Sequence, residues 1–261
     1  QGSTGLAVGN IVGSNLANIG LILGVAAVMS PIVIQLRLIR QEVPVLLAAT
    51  VLFTVMALGG LIGRLEGCIL LIFVVLYLFF LVRKARHVSP EIEAEYASQE
   101  ELSKPIRSIT RCILFVLAGG VFLWLGADLL VGSASEIARA LDVSEVLIGL
   151  TIVALGTSLP ELAASVAAAL HRQSDIVAGN IVGSNIFNLL FIGGTVSLAY
   201  PLDVQANLFY IEFPAMLLLT VLLWVIFWSD REVSRREGAV LLVLYAAIIG
   251  LSSLSQLGRL F

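Results

Sequence analysis

Charged residues cut this chain into a series of long apolar runs. Eight charge-poor stretches, near 6–29, 43–63, 67–82, 108–131, 145–170, 175–199, 207–228 and 238–257, approach the roughly 20 residues that a helix needs to cross a hydrocarbon core. They predict eight transmembrane helices joined mostly by short connections. One connection is long. Residues 83–107 gather Arg83, Lys84, Arg86, Glu91, Glu93, Glu95, Glu100, Glu101, Lys104 and Pro105, the composition of a polar linker, and divide the chain into three helices followed by five.

Composition narrows the class. Of 261 residues, 59% are hydrophobic and 13% charged, against about 45–50% and about 25% for a soluble domain. An ordinary soluble enzyme is excluded, and the fold class is an all-α polytopic membrane protein. Alternate loops must lie on opposite sides of the membrane, which allows the fifteen basic residues to be sorted by side. Twelve, including Arg37, Arg40, Arg83, Arg172, Arg231, Arg235 and Arg236, fall on one side; Arg64, Arg139 and Arg259 fall on the other. An excess of Lys and Arg marks the cytoplasmic face, so the 83–107 linker is expected in the cytoplasm and both ends of the chain outside. Cys68 and Cys112 have no CxxC spacing and no His neighbours, so neither a metal site nor a disulfide is argued from them.

The most informative pattern is internal. GNIVGSN occupies Gly9 to Asn15 and again Gly179 to Asn185, an offset of 170 residues. At the same offset Asn18 matches Asn188, Gly24 matches Gly194, Pro31 matches Pro201, Gln35 matches Gln205, Glu42 matches Glu212 and Pro44 matches Pro214. After a one-residue slip, Arg64, Glu66 and Gly67 match Arg235, Glu237 and Gly238. Such ordered identity indicates duplication. The first helix matches the sixth, so the repeat holds five helices, and an odd number inverts the second copy in the membrane. Residues 1–82 then form the remainder of the first repeat and 108–261 the second. Two helices matching the fourth and fifth are expected to precede Gln1, for ten in all.

The fifth helix carries VALGTSLPEL, placing Thr157, Ser158 and Glu161 within one apolar span. A carboxylate at that depth costs roughly 2.5–3.5 kcal/mol and is by default a functional group. Pro160 has no N–H and pushes away the carbonyl of Gly156, freeing backbone oxygen for a ligand. Hydroxyls, a carboxylate and free carbonyls make an all-oxygen site suited to Ca²⁺ or Na⁺. In GNIVGSN, Gly9/Gly13 and Gly179/Gly183 have the spacing of close helix packing, while Ser14 with Asn18, and Ser184 with Asn188, fall on one helical face. Glycines for packing and a Ser/Asn face for the site are both expected. Glu42 and Glu212, each two residues before a proline, are expected to stabilise helix N-termini. Asp128, near the end of the fourth helix, is expected either to face a pathway or to lie at the interface, and His87 and His171 are expected at the interfaces.

GTSLPEL followed by GNIVGSNIFN resembles the α-repeat of the calcium/cation antiporters, which include the sodium/calcium exchangers, bacterial-type members above all. The resemblance covers essentially the whole chain. It implies a ten-helix inverted-repeat exchanger with cation sites at the membrane midplane. Carried over by motif position, it implies that Thr157, Ser158, Glu161 and the carbonyl of Ala154 bind cations, that Ser184 and Asn188 complete that repeat, and that Ser14 and Asn18 stand opposite. The family's first-repeat GTSxPE-type segment has no counterpart in this sequence, so a second acidic ligand is not present in it. Asn at both 18 and 188 points away from potassium coupling, and the 83–107 linker is too short for a folded regulatory domain.

The expected function is antiport of Ca²⁺ against Na⁺ by alternating access, with proton coupling on the same fold as the alternative. The ions are substrates. No cofactor and no nucleic-acid partner is expected beside the lipid bilayer. An intramembrane enzyme would need a paired Asp motif, a Ser–His couple or HExxH within the spans, and the sequence has none.

Overall fold

A computed structural model describes residues 2–85, 108–141, 152 and 154–256. The 83–107 linker beyond residue 85 and most of the first half of the expected fifth helix lie outside the described residues. Among the described residues eight helical units follow one another in the predicted order. Gly2–Ala17, a π turn Asn18–Ile22 and Leu23–Met29 form α1; a π turn Leu38–Glu42 and Val43–Ala57 form α2; Arg64–Ala85 is α3 and Ile109–Ala140 is α4. Ala154–Thr157 and Leu159–Leu170 are the two described pieces of α5. Ser174–Phe187, a π turn Asn188–Ile192 and Gly193–Ala199 form α6, Glu212–Ser229 is α7, and Arg235–Gln256 is α8. Among the described residues seven helices are long and apolar enough to cross a membrane, and Leu159–Leu170 is a shorter apolar helix.

Two boundaries differ from the predicted ones. α4 continues nine residues past 131 to Ala140, because charge marks where lipid ends rather than where a helix ends. Its 32 residues span about 48 Å, more than the roughly 30 Å of hydrocarbon, so Glu136 and Arg139 ride on turns beyond the apolar slab. α2 begins at Leu38 rather than 43. Pro44 lacks the N–H that would bond the Arg40 carbonyl, and the widened π turn before it accommodates the ring within a continuous helix. Glu42 therefore sits at helical φ −89°, ψ −40° and makes no cap, which corrects the expected capping role. Glu212 does lie in the first turn of α7, but its Oε1 accepts a hydrogen bond from the Ser252 hydroxyl of α8.

The duplication is visible in the backbone. α1 and α6 each open a π turn at the matched asparagines: the N–H of Leu23 donates to the Asn18 carbonyl and that of Gly193 to the Asn188 carbonyl. Among the described residues four two-residue strands follow the same register. β1 (Ile32–Val33) pairs antiparallel with β4 (Glu232–Val233), and β2 (Leu61–Ile62) pairs with β3 (Leu202–Asp203). Each pair joins one repeat to the other. Flanking bonds repeat as well: Ile34 N–H to Arg231 O at 2.7 Å, and Val204 N–H to Gly60 O at 2.9 Å. Gly60 and Arg231 share left-handed φ values of 76° and 54°. Glu66 Oε2 accepts from the N–H of Gly63 at 3.0 Å, as Glu237 Oε2 does from that of Ser234 at 2.8 Å. The pairing places the connection bearing Arg37 beside the one bearing Arg231, at the same end of the bundle, as the sorting of basic residues requires.

Helices cross closely at glycines, though not at those in GNIVGSN. A Cβ on Gly238 would lie 2.8 Å from the Gly24 carbonyl, and one on Gly67 would lie 2.9 Å from the Gly194 carbonyl. α8 thus rests on the end of α1 as α3 rests on the end of α6. At Gly9, Gly13, Gly179 and Gly183 an added Cβ meets nothing within 4 Å among the described residues. The expectation that these glycines pack helices together is not met among the described residues, where space is left open beside them. The core fills with Phe53, Phe213, Phe227 and aliphatic residues of α1, α2 and α6, with Phe209 and Phe213 stacked at 4.6 Å. α4 packs against α5 and turns Phe115, Phe122 and Trp124 outward, where lipid is their natural solvent.

Candidate cation site

The helix of α5 breaks where the sequence places Pro160. Ser158 leaves helical geometry at φ −98°, ψ 2°, and Leu159–Leu170 restarts with proline in its first two positions, where a missing N–H costs nothing. The Leu162 N–H returns to the Ser158 carbonyl at 3.0 Å. Glu161 falls in the first turn of the restarted helix, where the helix dipole favours a negative group. Its Oε2 is buried and has no hydrogen-bond partner among the described residues. A carboxylate oxygen withdrawn from water and left without a donor is a costly arrangement unless a cation completes it. Gly156 lets the break sit against α4, since a Cβ there would lie 1.8 Å from Val131 Cγ2.

Side-chain amides and hydroxyls from both repeats surround the break. Asn180 Nδ2 donates to Ser165 Oγ at 2.9 Å and to the Glu161 carbonyl at 3.4 Å, and the Ser184 hydroxyl donates to Asn180 Oδ1 at 3.3 Å. The two Asn180 Nδ2 bonds tie α6 to α5. The Thr157 hydroxyl reaches Asn10 Oδ1 of α1 at 3.4 Å. Deeper, Asn18 Nδ2 donates to Asn185 Oδ1 at 2.8 Å and Asn185 Nδ2 to the Asn15 carbonyl at 3.5 Å, linking the two GNIVGSN helices. Asn15 and Asn18 are 1% and 2% exposed, and the Oδ1 of each has no partner among the described residues. Buried acceptors that lack donors are the complement of a cation.

Of the residues predicted for the site, Thr157, Glu161, Ser184 and Asn18 enter these contacts. Ser14 and Ser158 are buried and Asn188 is half-buried, without side-chain hydrogen bonds to the others among the described residues. Ala154 opens the first described piece of α5. Asp128 is exposed on α4 and His171 is exposed at the end of α5; His87 lies outside the described residues. Ser165 was not singled out by the sequence, although its place one turn after Glu161 was the available signal. Among the described residues no group of three or more His, Cys, Asp or Glu comes together. The cluster is therefore mostly neutral oxygen around one carboxylate.

The two copies of the Asn helix are not equally covered. Ala17, Asn18 and Ile22 are at most 2% exposed where α5 packs on α1, whereas the matched Phe187 and Ile192 are 45% and 36% exposed. Replacing Asn185 by Ala should lower thermal stability by about 1–3 kcal/mol, because it strands the Asn18 amide in the core. Unfolding of the purified variant in detergent checks this.

A bundle of inverted repeats with a broken, acid-bearing helix facing amides from both copies defines a membrane ion carrier rather than an enzyme. The comparisons agree. Residues 1–83 and 112–254 match the profile of the family described as sodium/calcium exchanger protein. The putative antiporter CaxA of Alkalimonas amylolytica is 36% identical over 249 residues, covering 94% of this chain and 77% of the relative. The sodium/calcium exchanger MaX1 of Methanosarcina acetivorans is 29% identical, covering 95% of this chain and 80% of the relative. The solved structure of the sodium-calcium exchanger NCX_Mj superposes with a TM-score of 0.79 at 31% identity, over 95% of this chain and 77% of that one. The chain belongs to the sodium/calcium exchanger family of membrane antiporters. Its ions are substrates, and no cofactor enters the family's function.

Proposed function

We propose that the protein exchanges Ca²⁺ for Na⁺ across the cell membrane, both ions competing for the oxygens around Glu161. The observation that carries this reading is the buried Glu161 Oε2 without a partner among the described residues, set at a helix break that α1 and α6 meet through Asn10 and Asn180. Thr157, Ser158, Glu161 and the Ala154 carbonyl are assigned to the cation from α5, Ser184 and Asn188 from α6, and Ser14 and Asn18 from α1. Hard, all-oxygen coordination suits both ions. Shared ligands couple the fluxes, because access switches only when the carboxylate is charge-compensated. Residues 1–82 act as the remainder of the first exchanger repeat and 108–261 as the second, inverted one, with the 83–107 linker in the cytoplasm and both ends of this chain outside. The more exposed face around Phe187 and Ile192 is assigned to an inverted counterpart of α5, which would bring the second carboxylate that Ca²⁺ needs.

Calcium uptake by proteoliposomes loaded with sodium and diluted into sodium-free buffer, with protonophore present, tests the coupling. Uptake that requires the sodium gradient is the expected result. Uptake that appears only when the protonophore is omitted and a pH gradient replaces the sodium gradient would assign the driving ion to the proton instead. A membrane potential adds about 2.3 kcal/mol per net charge per 100 mV, so uptake that changes with a valinomycin-set potential reports net charge moved per cycle.

A further inference from the structure

A second polar region lies away from the cluster, at the end of the bundle that carries the β1–β4 pair. There a cavity of about 220 Å³ is lined by Gln35, Arg37, Glu42, Asp175, Ala178 and Gly179, among others. At about 30 Å³ per molecule it has room for several waters. At its exposed rim Gln35 Nε2 donates to Asp175 Oδ2 at 2.6 Å, fastening the connection after α1 to the start of α6. Two carboxylates against one guanidinium leave the lining formally negative, which draws cations in without holding them too tightly to leave.

α6 runs from the wall of the cavity, at Asp175, Ala178 and Gly179, to the site. Asp175, Gly179 and Gly183 recur at four-residue spacing and share one helical face, and at both glycines an added Cβ would meet nothing within 4 Å among the described residues. Asn180 and Ser184, the next residues along, belong to the cluster around Glu161. From Asp175 to Ser184 the helix rises about 14 Å. The repeat breaks its symmetry here. At the offset of 170, Gln35 matches Gln205 and Glu42 matches Glu212, but Asp175 matches Gly5 and Arg37 matches Asn207. Only one end of the bundle has both partners of the Gln35–Asp175 bond.

We propose that this cavity is the vestibule by which cations reach the site from the β1–β4 end, that the open glycine face of α6 is the route inward, and that the Gln35–Asp175 hydrogen bond is the latch at its mouth. The proposal rests on the cation-transport reading for its purpose, and its test does not require flux.

The test uses the full-length protein with Cys68→Ser and Cys112→Ser, carrying Gly179→Cys or Gly183→Cys, in sealed membrane vesicles of both orientations. Impermeant cationic and anionic methanethiosulfonate reagents are compared, each corrected for its rate on a free thiol. Both positions should react only from the β1–β4 side, with the cationic reagent favoured roughly fivefold. Asp175→Gly, which copies the residue at position 5, should raise the overall rate and reduce that preference. Gln35→Ala should raise the rate and keep the preference. Reaction from the opposite side, absence of charge preference, or rates unchanged by both latch variants would overturn the vestibule. Calcium flux measured in vesicles of the Cys68→Ser, Cys112→Ser parent reports separately on the proposed function. Absent flux beside the expected labelling pattern would count against that function alone.

Discussion

Glu161→Gln is expected to cut cation flux by about two to three orders of magnitude while leaving the protein folded. A cation about 4 Å from a carboxylate gains about 4 kcal/mol at an effective dielectric constant of 20, and each 1.4 kcal/mol is a factor of ten. Glutamine keeps the shape, removes the charge and turns an NH₂ donor toward the place where the cation would sit. Because Glu161 Oε2 has no hydrogen-bond partner among the described residues, the substitution breaks no contact of that oxygen, and the neutral side chain is easier to bury than the carboxylate. Folding and function should therefore separate. Calcium uptake into proteoliposomes gives the flux, and thermal unfolding in the same detergent gives the stability. Glu161→Asp keeps the charge and withdraws it by one methylene, so it should retain a measurable fraction of transport. Flux within threefold of wild type in Glu161→Gln, with normal insertion, would remove Glu161 from the site and with it the central claim of the proposed function.

The spans were legible because lipid penalises charge over every residue of a crossing. The helix ends were less so, since a helix continues past the lipid wherever its backbone bonds allow, as α4 does to Ala140. The π turns at Asn18 and Asn188 were not legible, because an asparagine inside an apolar helix reads the same in an α or a π turn. Their recurrence at matched positions in both repeats ties the widened turn to the polar cluster, a common place for π geometry. The triplet Thr157, Ser158 and Glu161 stood out because polar groups beside a proline are rare in a span. The Asn180–Ser165 and Asn18–Asn185 bonds depend on how α5, α6 and α1 meet, and no local signal encodes that. Glu42 was misread for a similar reason: an acid before a proline marks a helix start only where the chain is not already helical, and Leu38–Glu42 is a π turn.

The glycines show most plainly where spacing and structure part. Four-residue spacing in GNIVGSN suggested packing, yet among the described residues nothing meets those positions, and the close crossings fall at isolated glycines whose partners lie in the other repeat. Gly67→Ala and Gly238→Ala should each destabilise the bundle by about 1–3 kcal/mol or more. The added methyl on Gly67 would meet Ser197 Oγ at 2.5 Å and the Leu198 N at 2.9 Å besides the Gly194 carbonyl. That on Gly238 would meet Ala27 Cβ at 2.9 Å and the Val28 N at 3.0 Å besides the Gly24 carbonyl. Backbone atoms cannot rotate away as side chains do, so whole helices must separate. Gly183→Ala meets nothing within 4 Å among the described residues and should stay within about 0.5 kcal/mol of wild type. Unfolding temperatures in detergent should fall by several degrees for the first two variants and hardly move for the third. Equal losses at all three positions would mean that the GNIVGSN glycines are packed after all, and the open face of α6 would lose its support.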